Sequence, residues 1–217
     1  MTAWIWAPTR LLWWIAVLFI IGSACFALGS MPLYTENVSP RTTGFIFFVG
    51  SIFFTSASLC QYLQTVNPYG EHRRRVFVWD TNSPDWVAAV VQFAGTLLFN
   101  VTTFHALQTS LDAQEADRLV WAPDALGSVC FLISSYVAFM TMRHRVIPGG
   151  RDTDWWMATL NLVGSVAFGI SAIASLVLPT TDEAVNIRTV NVQTFIGAVC
   201  FLVAAYMLIP QMAKERV

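Results

Sequence analysis

The chain has 217 residues, a net charge of -1, 56% hydrophobic and only 12% charged residues, with a mean hydropathy of +0.58. So few charges on so apolar a chain exclude an ordinary soluble domain. Twelve basic residues against thirteen acidic ones leave no basic surface of the size that nucleic-acid binding needs.

Six apolar runs follow one another, at approximately 11–30, 42–64, 86–108, 121–142, 155–178 and 191–212. Each is long enough to cross a bilayer as a helix. The first has one arginine ahead of it and small residues near its end, like a secretory signal. It carries the same internal mark as the other five, however, and is read as a retained helix.

That mark is a glycine, a small residue and a phenylalanine four places on. It recurs as Gly22-Ser23 with Phe26, Gly50-Ser51 with Phe54, and Gly95-Thr96 with Phe99. It continues as Gly127-Ser128 with Phe131, Gly164-Ser165 with Phe168, and Gly197-Ala198 with Phe201. Nine residues before the glycine stands Trp13, Trp86 or Trp155 in the odd segments, and Arg41, Arg118 or Arg188 in the even ones. The alternation predicts an all-α, six-helix membrane bundle made of three tandem two-helix units, at approximately 1–66, 83–145 and 153–213, around a pseudo-threefold axis. A three-plus-three inverted repeat would match the first segment with the fourth, and so Trp13 with Arg118, against that alternation. No shift in composition divides the chain, which is read as a single transmembrane domain.

Nine helical residues rise about 13.5 Å, near half the hydrocarbon thickness, which places the glycines at mid-depth. Nine steps of about 100° amount to half a turn, so tryptophan and glycine lie on opposite faces. Glycine faces allow close helix approach and are expected to point inward as packing positions. The tryptophans are then expected to face lipid.

Orientation follows from the basic residues. Arg10, Arg73, Arg74, Arg75, Arg143, Arg145, Arg151, Lys214 and Arg216 fall on one side, against Arg41, Arg118 and Arg188 on the other. This bias places both termini in the cytoplasm, in a plasma membrane.

The run Phe45-Ile-Phe-Phe-Val-Gly50-Ser51-Ile-Phe resembles the YrhK-like family of small bacterial membrane proteins, with nearly the whole chain covered as tandem two-helix units. The resemblance implies the architecture and a bacterial inner membrane. It assigns no activity and no functional residue.

Chemistry-bearing residues are few. The central parts of the spans hold no charge, which argues against proton-coupled transport at mid-depth. Gln92 and Asn161, each three before its glycine, and Asn100 are the uncharged polar candidates within the spans. They serve either as interhelical hydrogen-bond partners or as the lining of a small polar cavity. Arg41, Arg118 and Arg188 start three related helices, where guanidinium groups would collect an anion if they converged. Local ion pairs with Glu36, Asp112, Glu115, Asp117, Asp182 and Glu183, or snorkelling to the interface, are the simpler account. Arg73, Arg74 and Arg75, followed by Val76-Phe-Val-Trp79, suit anionic lipid headgroups or a plain topogenic signal. Asp85-Trp86 and Asp154-Trp155 read as repeated helix starts. Cys25, Cys60, Cys130 and Cys200 lack metal-binding spacing, and His72, His105 and His144 fall on different sides, so no metal or cofactor is expected. With no catalytic constellation, the sequence favours a structural or accessory bundle that binds lipids or a protein partner. The alternative is a channel or carrier for a small solute.

Overall fold

The computed structural model describes residues 6–68, 75–108, 110–145, 153–178 and 183–214; the side chains of 143–145, 178, 183 and 213–214 lie outside it. The helices are α1 (Leu11–Ser30), α2 (Pro32–Thr35), α3 (Pro40–Val66), α4 (Pro84–His105), α5 (Ala113–Ala116), α6 (Ala122–Arg145), α7 (Thr153–Ala174) and α8 (Ile187–Lys214). A π-helical turn, Asp117–Trp121, joins α5 to α6. Six helical stretches, carried by α1, α3, α4, α5–α6, α7 and α8, are long and apolar enough to cross a membrane, with 20 to 30 residues each. The chain is thus a multi-pass membrane protein, and its exposed branched residues, such as Ile52, Val101, Ile133 and Ile170, meet lipid.

Local chemistry sets several helix starts. Ser39 and Ser83 cap α3 and α4, each accepting from a backbone N–H three residues on, with proline in the first turn where its missing N–H costs nothing. Asp112 and Glu115 form a reciprocal capping box at α5. The fifth apolar run stops earlier than its composition suggests. Helix α7 ends at Ala174, and Val177–Leu178 pairs antiparallel with Glu183–Ala184. The Asp117 carboxylate accepts from the Val177 N–H at 3.0 Å and fixes this turn to the start of the fourth span.

The six spans form a closed ring in chain order. Each packs on its sequence neighbours, and α8 returns onto α1. Within α1–α3, α4–α6 and α7–α8 the marked glycines abut. A Cβ placed on Gly22 would lie 3.0 Å from the Gly50 carbonyl oxygen, one on Gly95 3.1 Å from that of Gly127, and one on Gly164 3.1 Å from that of Gly197. All six glycines are buried, as the spacing requires.

The tryptophans do not face lipid. Trp13 is 4% and Trp86 7% exposed, and Trp155 is half-buried. The half-turn offset from glycine holds, but in a closed ring the side away from the hairpin partner is the side towards the next hairpin. Trp13 packs in a cluster with Ile209 and Met212 of α8, and Trp155 lies 6.4 Å, ring to ring, from Phe139 of α6. Trp86 is covered by the 75–79 segment, donating its indole N–H to the Val78 carbonyl at 2.9 Å and stacking edge-on with Trp79.

Hydroxyls pin two of the seams between hairpins. The Ser51 and Thr103 hydroxyls are 2.9 Å apart across α3 and α4, and those of Ser135 and Ser165 are 2.6 Å apart across α6 and α7. At the α8–α1 seam the residue in the place of Ser135 is Ala205, and the buried hydroxyl of Ser23, in the place of Ser165, has no partner.

Candidate solute vestibule

The ring axis is blocked at the level of the glycines by six phenylalanines in two tiers. Phe54, Phe131 and Phe201, from the spans running back towards the termini, form a closed triangle with ring centroids 5.9 to 6.4 Å apart. Phe26, Phe99 and Phe168 form the other tier, with Phe168 5.9 Å from both of its fellows. Between tiers the rings meet within hairpins, at 5.5 Å for Phe26–Phe54, 5.0 Å for Phe99–Phe131 and 5.5 Å for Phe168–Phe201. These distances are those of favourable aromatic pairs. The tiers follow from the repeat register. A phenylalanine four residues after the glycine stands one turn beyond it, and the chain direction alternates between spans.

On the side of the termini, the space above the Phe54–Phe131–Phe201 triangle opens into a cavity of about 640 Å³. Its wall rises past Gln92, Ser135, Asn161 and Ser165 to a rim that includes Gln61, Gln64, Asn67, Asp85 and Asp154. A volume of this size lies within the range of small-molecule sites. Among the rings themselves lies a space of only about 10 Å³, with Ser51 and Thr96 beside it.

The amides divide by role. Gln92 accepts from the Ser134 hydroxyl at 3.2 Å, which also donates to the Ala88 carbonyl at 2.8 Å, so this amide ties α4 to α6. The Asn161 side chain forms no hydrogen bond with any described residue; its main-chain carbonyl accepts from the Ser165 hydroxyl at 2.9 Å. Asn100 does not line the vestibule, and its Oδ1 is buried without a partner. Asp154 accepts from Gln211 Nε2 at 2.6 Å while lining the rim, a role beyond that of a helix start.

Gln61 and Gln64 are wall residues that the sequence did not single out, and Asp154 stands out there only as a helix start. A signal was present, since Gln64 and Gln211 both stand fourteen residues after their glycines. Gln61 and Gln64 each have a buried carboxamide oxygen without a partner.

The three arginines, Arg41, Arg118 and Arg188, are exposed at the opposite ends of their spans, away from the vestibule, and none of their side chains is ion-paired among the described residues; Asp182 and the Glu183 side chain, expected beside Arg188, lie outside these. Arg73 and Arg74 lie outside the described residues. The main chain of Arg75 is clasped by Asn67, whose Oδ1 accepts from the Arg75 N–H at 2.6 Å and whose Nδ2 donates to its carbonyl at 2.8 Å. Together with Tyr62, whose hydroxyl accepts from the Val78 N–H at 3.2 Å, this holds an extended segment with Phe77 and Trp79 exposed. The four cysteines are free; the Cβ atoms of Cys25 and Cys130 pack where a Cβ on Gly50 or Gly95 would stand, 2.9 Å away. Among the described residues no three of His, Cys, Asp and Glu gather as metal ligands.

No protein-family model matches the chain, and no curated protein or solved structure matches it.

Proposed function

We propose that the protein is a small-solute carrier or gated channel of a bacterial plasma membrane, loaded from the cytoplasm. In this reading it consists of three like-oriented hairpin units, as the YrhK-like resemblance implies, with both termini inside. The observation that carries it is the vestibule, about 640 Å³ in volume, lined by both apolar and polar side chains, and closed at its base by Phe54, Phe131 and Phe201. A purely structural bundle has no use for such a space, because protein interiors are otherwise packed to crystal density and unfilled volume costs stability. A constriction of aromatic rings excludes water and ions until it opens, as hydrophobic gates do. The free amide of Asn161 stands where a solute passing towards the rings would exchange its water for protein hydrogen bonds.

Osmotic swelling of proteoliposomes in a panel of small polar solutes tests this proposal. Protein-dependent uptake of at least one solute is expected, reduced in Asn161→Leu and unaffected in Asn100→Leu, with Phe131→Ala raising uptake across the panel. Swelling no faster than in protein-free liposomes, for the native chain and for Phe131→Ala, would overturn the reading and leave the accessory bundle as the better account.

A further inference from the structure

The vestibule departs from threefold chemistry. Where α4 and α7 present Gln92 and Asn161, α1 presents Phe19; where they present Asp85 and Asp154 at the rim, α1 presents Leu12. Ala205 and Leu208 of α8 extend the same apolar side. One flank of the cavity is therefore aliphatic and aromatic, and the remainder carries carboxamides and carboxylates.

On the polar flank, acceptors are in excess. Asp154 receives one hydrogen bond, from Gln211, and a carboxylate offers about four lone-pair directions. The carbonyl oxygens of Gln61 and Gln64 are turned into the wall without a partner, although both side chains line the cavity. Rotation about the last torsion exchanges amide oxygen and nitrogen, so either glutamine can turn its carbonyl to the cavity, with its nitrogen taking the oxygen's place in the wall. Among the described lining residues there is no lysine, arginine or histidine. A negatively charged ligand would meet the Asp154 carboxylate with no cation among the described wall residues to offset it.

Resting on the reading of the vestibule as a solute site, we infer that its ligand class is the amphipathic organic ammonium ion. The apolar body lies along Leu12, Phe19 and Leu208, and the ammonium donates to Asp154 at the rim. The two flanks select together: a hydrophilic cation leaves the Phe19 side unused, and an uncharged amphiphile forgoes the charge-assisted bond to Asp154.

The test uses the full chain in lipid nanodiscs with 4-phenylbutylammonium, 4-phenylbutanol and 4-phenylbutanoate as shape-matched probes, read by calorimetric titration. The ammonium is expected to bind about tenfold more tightly than the alcohol, the difference that a charged partner makes to one hydrogen bond, and the carboxylate weakest of the three. Asp154→Asn should abolish the preference for ammonium over alcohol while leaving alcohol affinity in place. Should Asp154→Asn fail to fold, Phe19→Gln serves instead, lowering affinity for phenylbutylammonium severalfold with little effect on methylammonium. Equal or tighter binding of the alcohol or the carboxylate overturns the ammonium assignment and leaves the vestibule as a solute site. Binding by none of the three also overturns it. In that case one-sided labelling of Asn161→Cys decides whether the vestibule reading falls too: an unlabelled cysteine means that it does.

Discussion

The close approach of Gly197 to its partner helix gives a sharp test of the hairpin packing. In Gly197→Ala the new methyl would lie 2.5 Å from Phe168 Cδ2, 2.8 Å from Cε2 and 2.9 Å from the Gly164 carbonyl oxygen. Restoring ordinary contact, which begins at 3.4 Å, requires Phe168 to move by about 0.9 Å. That ring is stacked on Phe201 at 5.5 Å with planes 20° apart and also meets Phe26 and Phe99, so it has nowhere to go without displacing both tiers. Overpacking of this kind costs about 1–3 kcal/mol, against which alanine regains up to about 1 kcal/mol of helix propensity. A net loss of about 1–2 kcal/mol corresponds to a fall of roughly 2–8 °C in the unfolding midpoint for a chain of this length. Gly44→Ala is the control, because its methyl would meet nothing closer than Leu107 Cδ2 at 3.4 Å. Thermal unfolding of both variants in one detergent should show Gly197→Ala falling and Gly44→Ala unchanged or slightly raised. Adding Phe168→Ala to Gly197→Ala should cost less than the sum of the two single changes, with a coupling of about 1–2 kcal/mol. If Gly197→Ala unfolds at or above the native midpoint, or Gly44→Ala falls as far, the packing argument is refuted.

Three further outcomes follow from other parts of the molecule. After replacement of the four native cysteines, Asn161→Cys should react with a membrane-impermeant thiol reagent added on the side of the termini and not from the other side; labelling from both sides would show that the phenylalanine tiers do not seal the axis. A double-mutant cycle of Ser135→Ala and Ser165→Ala should give a coupling of about 0.6 kcal/mol, the typical worth of an interhelical hydrogen bond in a membrane, and a coupling near zero would remove the hydroxyl pair as a seam contact. Asn67→Ala releases both main-chain contacts to Arg75 and should speed tryptic cleavage after Arg75 by up to about tenfold, while an unchanged rate would mean that the clasp does not hold the segment.

Much of the fold was legible because the decisive pattern lies in side-chain size, not polarity. Both faces of these helices are apolar, so alternation between hydrophobic and polar residues carries little information, whereas glycine-small-phenylalanine marks at one register identify the packed faces of all six spans. The tryptophan positions were misread for a reason internal to the same argument. The geometry about one helix axis was right, but whether the far side meets lipid or another helix depends on ring closure by α8 against α1, which no local spacing records. The vestibule was half legible. Gln92 and Asn161 stood out by equivalent position and both line the cavity, Gln92 bonded to Ser134 and the Asn161 amide with no partner among the described residues. Asp154 was hidden by its plausible role as a helix-start acid, and Gln61 and Gln64 by lying near the interface, where glutamine is unremarkable. The exposed placement of Arg41, Arg118 and Arg188 agrees with their half-turn offset from glycine; Arg41 and Arg118 form no ion pair among the described residues, and the acids expected beside Arg188 lie outside them.

Closure of the ring by its last span also bears on biogenesis. As the chain leaves the ribosome and inserts, the first two hairpins contain all their own glycine contacts and form from local sequence, the kind of contact that assembles fastest. The inward-facing Asn161 and the Phe54 and Phe131 rings then remain open to lipid until α8 arrives with Phe201 and seats against α1. A nascent protein stalled before that point would display polar surface to the bilayer, a state that membrane quality-control proteases and insertion chaperones are able to distinguish from the finished one.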